Sequence, residues 1–295
     1  MSTPPTRVVK DTMIGLRMPD IDRWSERVVT VLGQNPGPFT GPGTNTYLVG
    51  TSQRPLLLDT GQGVPAYLPL LVQALAEHHR SQELQAIVLT HAHLDHLGGC
   101  EQVLGWVEDG AALPVLKRPW PGMDGGLADR LSAIDDGHTI ETEGATLRAI
   151  HCPGHAEDHL CYWLDEERAV FTGDVVLGAG TTVIPEHGGD LADYMSSLRR
   201  LLALEPEVIY PAHGPVIHDA KEKIGEYIRH RELREQQILE LLSRSVTSVA
   251  AMVKQMYADV PEFLHAAAAT SVRAHLRKLE REGRVRADGE AWVPA

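Results

Sequence analysis

Cysteine is scarce in this chain: Cys100, Cys152 and Cys161 are the only three in 295 residues, and no two form a C-x-x-C pair. An odd count without paired spacing excludes a disulfide framework and points to reduced thiols. No run of about 18 uncharged apolar residues occurs, which excludes a membrane-spanning helix. The segment Met1 to Asp20 lacks a basic stretch followed by an apolar one, so no secretion signal is expected and the cytoplasm is the expected compartment. Aromatic residues are only 5% of the chain, leaving few platforms on which unpaired bases could stack. Positive charge is also short, with 27 Lys and Arg against 40 Asp and Glu for a formal net charge of −13. That balance excludes a broad cationic surface for polyanions.

The deficit is uneven. From Ala220 onward there are 13 Lys/Arg and 11 Asp/Glu, a net +2, which leaves −15 on residues 1–219. The length accommodates one large domain and a small second one, and the change in charge suggests a boundary there: 1–219 and 220–295. No internal repeat or low-complexity tract is present.

Apolar runs mark strands at Val28 to Leu32, Thr46 to Val49, Pro55 to Asp59, Ala86 to Thr90, Thr146 to His151, Leu160 to Leu164, Ala169 to Thr172 and Val208 to Tyr210. Helical spacing covers Ala66 to His78 and Leu191 to Leu204. Strands and helices are therefore mixed, and each polar cluster of interest follows an apolar run. Chemistry carried on loops at strand ends is typical of layered α/β enzymes. From Lys221 the pattern turns helical, with a long first helix, a second at Val249 to Tyr257 and a third at His265 to Glu282. Arg284 to Val293 reads as a hairpin with Asp288-Gly289 at its turn. Three helices and a small hairpin are the layout of a winged helix.

The strongest chemical signal is His91-Ala-His93-Leu-Asp95-His96, on a loop directly after Ile87-Val88-Leu89. Three imidazoles and a carboxylate within six residues suit zinc or a neighbouring transition ion. Further candidates follow in order: His155 in Pro153-Gly154-His155, Asp174 in Phe171-Thr172-Gly173-Asp174, and His213 in Pro211-Ala212-His213-Gly214. Each alone would pass for a turn residue; their order and strand-end placement make them ligand candidates. Asp59 is a candidate acceptor for a ligand imidazole N–H, and Asp158 and His159 are divided between a supporting role and the surface.

This pattern resembles the metallo-β-lactamase superfamily, whose motif is His-x-His-x-Asp-His followed by a later His, a bridging Asp and a last His. The resemblance implies a four-layer αββα sandwich. It also implies that His91, His93 and His155 hold one metal and Asp95, His96 and His213 the other, with Asp174 bridging. Two Zn2+ are expected, with Mn2+ or Fe2+ as alternatives. Seven protein ligands shared by two ions leave positions open, so the site is expected to be catalytic, with a bridging hydroxide as nucleophile and Asp95 orienting it.

Longer stretches are similar to the β-lactamase-like protein 2 group: Asn35-Pro36-Gly37-Pro38, Gly43 to Gly50, Gly180-Thr181-Thr182-Val183, Asp193-Tyr194-Met195, His213 to Ile217, Arg234 to Ile238 and Leu276 to Glu280. That resemblance implies a metal-dependent endoribonuclease acting on single-stranded RNA. Arg273, Arg277, Lys278 and Arg281 are spaced as on one helical face and could track phosphates. Against RNA stand the acidic catalytic part and the scarcity of aromatics. The rival reading is hydrolysis of a small thioester, ester or β-lactam, with the loop Gln34 to Tyr47 as pocket wall and Asn45 or Tyr47 as donor to a developing oxyanion. A third reading, a winged-helix DNA-binding regulator with a sensor domain, conflicts with the intact ligand set. The second domain could serve equally well as a homodimer interface.

Overall fold

The computed structural model describes residues 13, 15–258 and 261–295. Most of the N-terminal segment read for a secretion signal lies outside them. The described chain forms two compact units: residues up to 151, 158–181 and 205–221 in the first, and residues 152–157, 182–204 and 222–295 in the second. The expected cut at 219/220 ran along the chain, whereas this division groups the helix near residue 200 with the C-terminal helices.

The first unit is built on two sheets. In chain order the first contains β1 (Ile21–Arg23), β2 (Val28–Leu32), β3 (Asn45–Val49), β4 (Leu56–Leu58), β5 (Ala86–Val88), β6 (Val115–Lys117) and β7 (Leu131–Ala133), each beside the next. Pairing is antiparallel from β1 to β4 and parallel from β4 to β7. The second sheet runs β12-β11-β10-β9-β8, from β8 (Thr139–Thr142), β9 (Ala145–His151), β10 (Leu160–Leu164), β11 (Ala169–Gly173) and β12 (Val208–Pro211).

Side-chain alternation along the first sheet fills two cores. Val28, Tyr47, Val49, Leu56, Leu58 and Val88 face one core, which they share with Leu147, Leu160, Tyr162, Phe171 and Tyr210 of the second sheet. Val29, Val31, Leu48, Leu57, Ile87 and Leu89 face the other, with Tyr67 and Leu71 of helix α1 (Tyr67–Ala74) and Cys100 and Val103 beyond them. A sheet buried on both faces explains why its strands read as continuous apolar runs. Helix α1 continues as a wider turn to His79. The helical turn α2 (Leu94–Leu97) and helix α3 (Cys100–Trp106) follow β5, so part of the histidine motif read as loop is helical.

The second unit contains α4 (Leu191–Ala203), most of α5 (Ala220–Ser243), α6 (Val249–Met256), α7 (His265–Arg281) and the hairpin β13 (Val285–Asp288) with β14 (Ala291–Pro294). Asp190 caps α4, its carboxylate accepting from the amides of Ala192 and Asp193. Ile238, Leu242, Met252, Val253, Val272, Leu276, Leu279 and Val285 form its core, as the helical spacing requires. No described helix is long and apolar enough to cross a membrane.

Candidate metal centre

The donors come from strand ends of the first unit. β5 ends at Val88, and the chain leaves through Leu89 and Thr90 into His91, His93, Asp95 and His96; β11 ends at Gly173, immediately before Asp174; β12 ends at Pro211, two residues before His213. Ligand atoms of Asp95, His96, Asp174 and His213 all lie within 4.8 Å of one another, and His91 and His93 belong with Asp174 in a second such grouping. His213 Nε2 is 3.2 Å from both Asp95 Oδ2 and Asp174 Oδ1, and His96 Nε2 is 3.5 Å from the same two atoms.

Three of these imidazoles, those of His96, His213 and His91, face an oxygen through Nδ1. His96 Nδ1 donates to Asp59 Oδ2 at 2.8 Å, and His213 Nδ1 faces the Gly43 carbonyl at 3.3 Å. His91 Nδ1 lies 3.0 Å from the Thr90 hydroxyl, which itself donates to Asp59 Oδ2 at 2.8 Å. With Nδ1 tied to oxygen, Nε2 is the nitrogen that would coordinate a metal. Asp59 is thus the hub expected from its place after β4. Its carboxylate also accepts from the Thr90 amide at 2.8 Å, and its backbone is held at φ +57°, a region few residues other than glycine occupy.

His159 and Asp158, which the sequence divided between support and surface, are both fully buried. The His159 ring stacks on His91 with centroids 4.6 Å apart, and its Nε2 accepts the Asp174 amide at 3.1 Å. Gly173 makes this approach available: at φ +50° a Cβ there would come within 2.5 Å of His159 Nε2. Asp158 pairs with Lys117, whose Nζ lies 2.5 Å from Asp158 Oδ2 and 2.6 Å from Asp124 Oδ1. Sequence reasoning missed Lys117; its one signal is a lone charge closing the apolar strand Val115-Leu116.

The electrostatics match a site prepared for cations. Burial opposes the charging of His96, but Asp95, Asp174 and Asp59 raise its pKa well above the usual imidazole value. His213, against the same burial, is carried to about 9 by Asp174 and Asp95. Burial pushes the Asp95 carboxyl up, yet His96 and His213 hold it at about 2. His91 is lowered well below the usual value, first by burial and then by His96, His159 and His93.

His155 belongs to the second unit. Its Nδ1 is 2.8 Å from the Val183 carbonyl and 3.3 Å from the Thr182 hydroxyl, the same arrangement through Nδ1.

Asn45 and Tyr47 differ from their expected part as oxyanion donors. Both are buried; Asn45 Nδ2 donates to the carbonyls of Pro211 and Gly214 at 2.8 Å, and the Tyr47 hydroxyl donates to Pro211 at 2.6 Å. Their donors are consumed in pinning the loop that carries His213, which the Thr44–His213 bridge also ties to β3. Asn45→Ala is therefore expected to cost about 2 kcal/mol of stability for two lost hydrogen bonds and to weaken metal affinity about tenfold through His213. Denaturant melts and metal titration check this. An oxyanion donor would instead lose about 100-fold or more in kcat with stability and metal content unchanged.

Residues 39–213 match the family model of the Metallo-beta-lactamase superfamily, and residues 248–292 match the Beta-lactamase associated winged helix domain. The chain is 42% identical to the Beta-lactamase-like protein 2 homolog of Caenorhabditis elegans over 266 residues, covering 89% of this chain and 87% of that one. It is 40% identical over 265 residues to a protein of Paecilomyces divaricatus named atrochrysone carboxyl ACP thioesterase, covering 90% and 79%. Among solved structures, a beta-lactamase domain protein from Burkholderia ambifaria aligns with a TM-score of 0.79 at 17% identity, over 98% of this chain and 95% of that one. At that identity the likeness speaks for the fold.

Proposed function

The chain belongs to the metallo-beta-lactamase superfamily of hydrolases, and from that premise we propose that it is a binuclear metal-dependent hydrolase acting on an acyl thioester. The donors fit such a centre. They are imidazole nitrogens and carboxylate oxygens without a thiolate, and His96 Nε2 is buried and makes no hydrogen bond among the described residues. Asp95, His96 and His213 would hold one ion; we assign His155 to the other with His91 and His93, and Asp174 to both. Zinc is our assignment for both ions. Bound there, they supply Lewis acidity toward a water and toward the substrate's carbonyl oxygen. Asp59, Thr90 and the Gly43 carbonyl keep the imidazoles in register, and Asp95 orients the attacking water and relays its proton to the leaving thiol. Water adds to the carbonyl carbon, the carbon–sulfur bond breaks, and a carboxylate and a thiol leave.

One observation carries the choice of substrate. The four cations on α7 that could track phosphates all face carboxylates: Arg273 and Arg277 are 3.4 and 3.6 Å from Glu186, Lys278 is 2.6 Å from Glu235 and 2.7 Å from Glu282, and Arg281 is 2.5 Å from Asp190. Surface pairs of this kind add little stability, but they cancel the local field that counterion release requires. Leu94, between two ligand positions, is 62% exposed and offers an apolar contact to an acyl chain.

The second reading, cleavage of single-stranded RNA, is favoured by the similarity to the β-lactamase-like protein 2 homolog. Zinc-loaded protein is expected to release thiol from an acyl-pantetheine thioester while leaving a generic single-stranded RNA intact. RNA cut by the protein but not by its Asp174→Ala variant, with the thioester untouched, would reverse the assignment.

A further inference from the structure

Helices α4, α5 and α7 line a half-open cavity of about 360 Å³ in the second unit, and none of its lining residues belongs to the candidate metal centre. Three cations and three carboxylates line it, so its formal charge is zero before His275 is counted. Most are paired with one another. Lys278 Nζ contacts Glu235 and Glu282, and Arg199 lies 3.3 Å from Glu232.

Arg231 breaks this pattern. It is only 3% exposed, and no carboxylate among the described residues pairs with it. Its Nη2 donates to the Thr182 carbonyl at 2.6 Å and its Nη1 to the Ser271 hydroxyl at 3.2 Å, while the guanidinium carbon sits 5.3 Å from the centroid of the Tyr194 ring. Arg231 Nε is buried and makes no hydrogen bond among the described residues. A guanidinium cannot shed its charge on burial as a lysine can, so burial without a counter-ion is a standing cost. His275, one helical turn before Leu279 on α7, is 1% exposed, and neither of its ring nitrogens has a hydrogen-bond partner among the described residues. Burial, followed by Arg231 and Lys278, drives its pKa well below the usual value, so the ring is neutral and offers one donor and one acceptor.

Two buried polar side chains with unmade hydrogen bonds on one cavity wall ask for an acceptor of matching shape. We propose that this cavity binds a small monocarboxylate, its oxygens accepting from Arg231 Nε–H and from the N–H of His275, its short apolar chain against Leu191 and Met195. The planar guanidinium suits a carboxylate. The neutral lining argues for a single negative charge, because a second would face Glu232, Glu235 and Glu282 with no unpaired cation to meet it. The cavity volume lies in the range of small-molecule sites.

Hexanoate titrated into the zinc-loaded full chain, followed by calorimetry and by the imidazole 15N resonances, tests the proposal. Saturable binding is expected, with displacement of the His275 signals and with inorganic phosphate binding more weakly. Arg231→Gln and His275→Phe are each expected to weaken binding at least about tenfold, while Asp174→Ala, which strips the metal centre, leaves it in place. If Arg231→Gln fails to fold, His275→Phe decides alone. Absence of saturation, His275 signals that do not move, unchanged affinity in His275→Phe, or loss of binding in Asp174→Ala would each overturn the site. Tighter binding of phosphate than of hexanoate would overturn the choice of carboxylate. The readout is independent of hydrolysis, so failure here leaves the proposed activity standing, and the reverse.

Discussion

Asp174→Ala is expected to lower kcat/KM by at least about a thousandfold, ~4 kcal/mol of transition-state stabilisation, and to reduce the metal bound per chain. Asp174 is the carboxylate common to both donor groupings, with Oδ1 3.2 Å from His213 Nε2 and 3.5 Å from His96 Nε2. No other carboxylate of the described first unit belongs to both, so on the proposed binuclear reading its loss would leave two cations without a shared counter-charge. The effect falls on chemistry and metal content together. Elemental analysis beside steady-state kinetics checks it; a variant that keeps both metals and activity within tenfold of the parent would remove Asp174 from the site. Asp174→Asn sharpens the test, since it preserves shape and removes only charge.

Lys117→Met is expected to destabilise the first unit by about 3–5 kcal/mol, the cost of breaking a buried ion pair from one side. Lys117 is completely buried and its ammonium reaches Asp124, Asp158 and the Arg118 carbonyl at 2.6, 2.5 and 2.8 Å. Removing it strands two carboxylates in the interior. Burial already pushes the Asp158 carboxyl up, with Lys117 first among the groups that pull it back, so without Lys117 that carboxyl would take up a proton more readily. Asp158 is also the neighbour of His159, which backs His91 and accepts from the Asp174 amide. The variant is therefore expected to lose metal affinity as well as stability. Urea denaturation of the metal-free protein isolates the first effect. The double variant Lys117→Met with Asp158→Asn should recover part of the loss, because one stranded charge is gone; a single variant within 1 kcal/mol of the parent would make the buried triad energetically idle.

Much of this was legible in the residues because the signals are local. The run Val28 to Leu32 reads as a strand because its Val and Leu side chains suit a surface buried on both sides, and the structure places it there. The tail from Lys221 reads as three helices and a hairpin from spacing and from Asp288-Gly289, and that is what forms. Strands β1, β6, β7 and β8 escaped notice for a physical reason. Three of them have only three residues and the fourth only four, too short to show a periodic pattern, so sheet partners rather than intrinsic pattern make them strands.

The candidate ligand motif also lay in the order of residues: His91, His93, Asp95, His96, Asp174 and His213 follow strand ends, and the structure gathers them into groups that could hold a metal. What sequence could not show is what a side chain does with its polar atoms once buried. Asn45 and Tyr47 looked like donors to a substrate and turned out to brace the His213 loop, since burial obliges their hydrogen bonds to be made inside. The basic face of α7 looked like a phosphate track, and each of its four cations meets a carboxylate distant in sequence, Arg273 and Arg277 sharing Glu186, Lys278 on Glu235 and Arg281 on Asp190. Lys117 and Arg231 gave almost no signal, because a single cation in a strand or helix is ordinarily solvated. By itself the sequence determined the family, the longer elements and the candidate metal donors, all of which rest on patterns within a few residues. The tertiary structure alone decided which charges are cancelled, which polar groups are spent on the backbone and which are left with bonds to make, because those depend on partners tens of residues away.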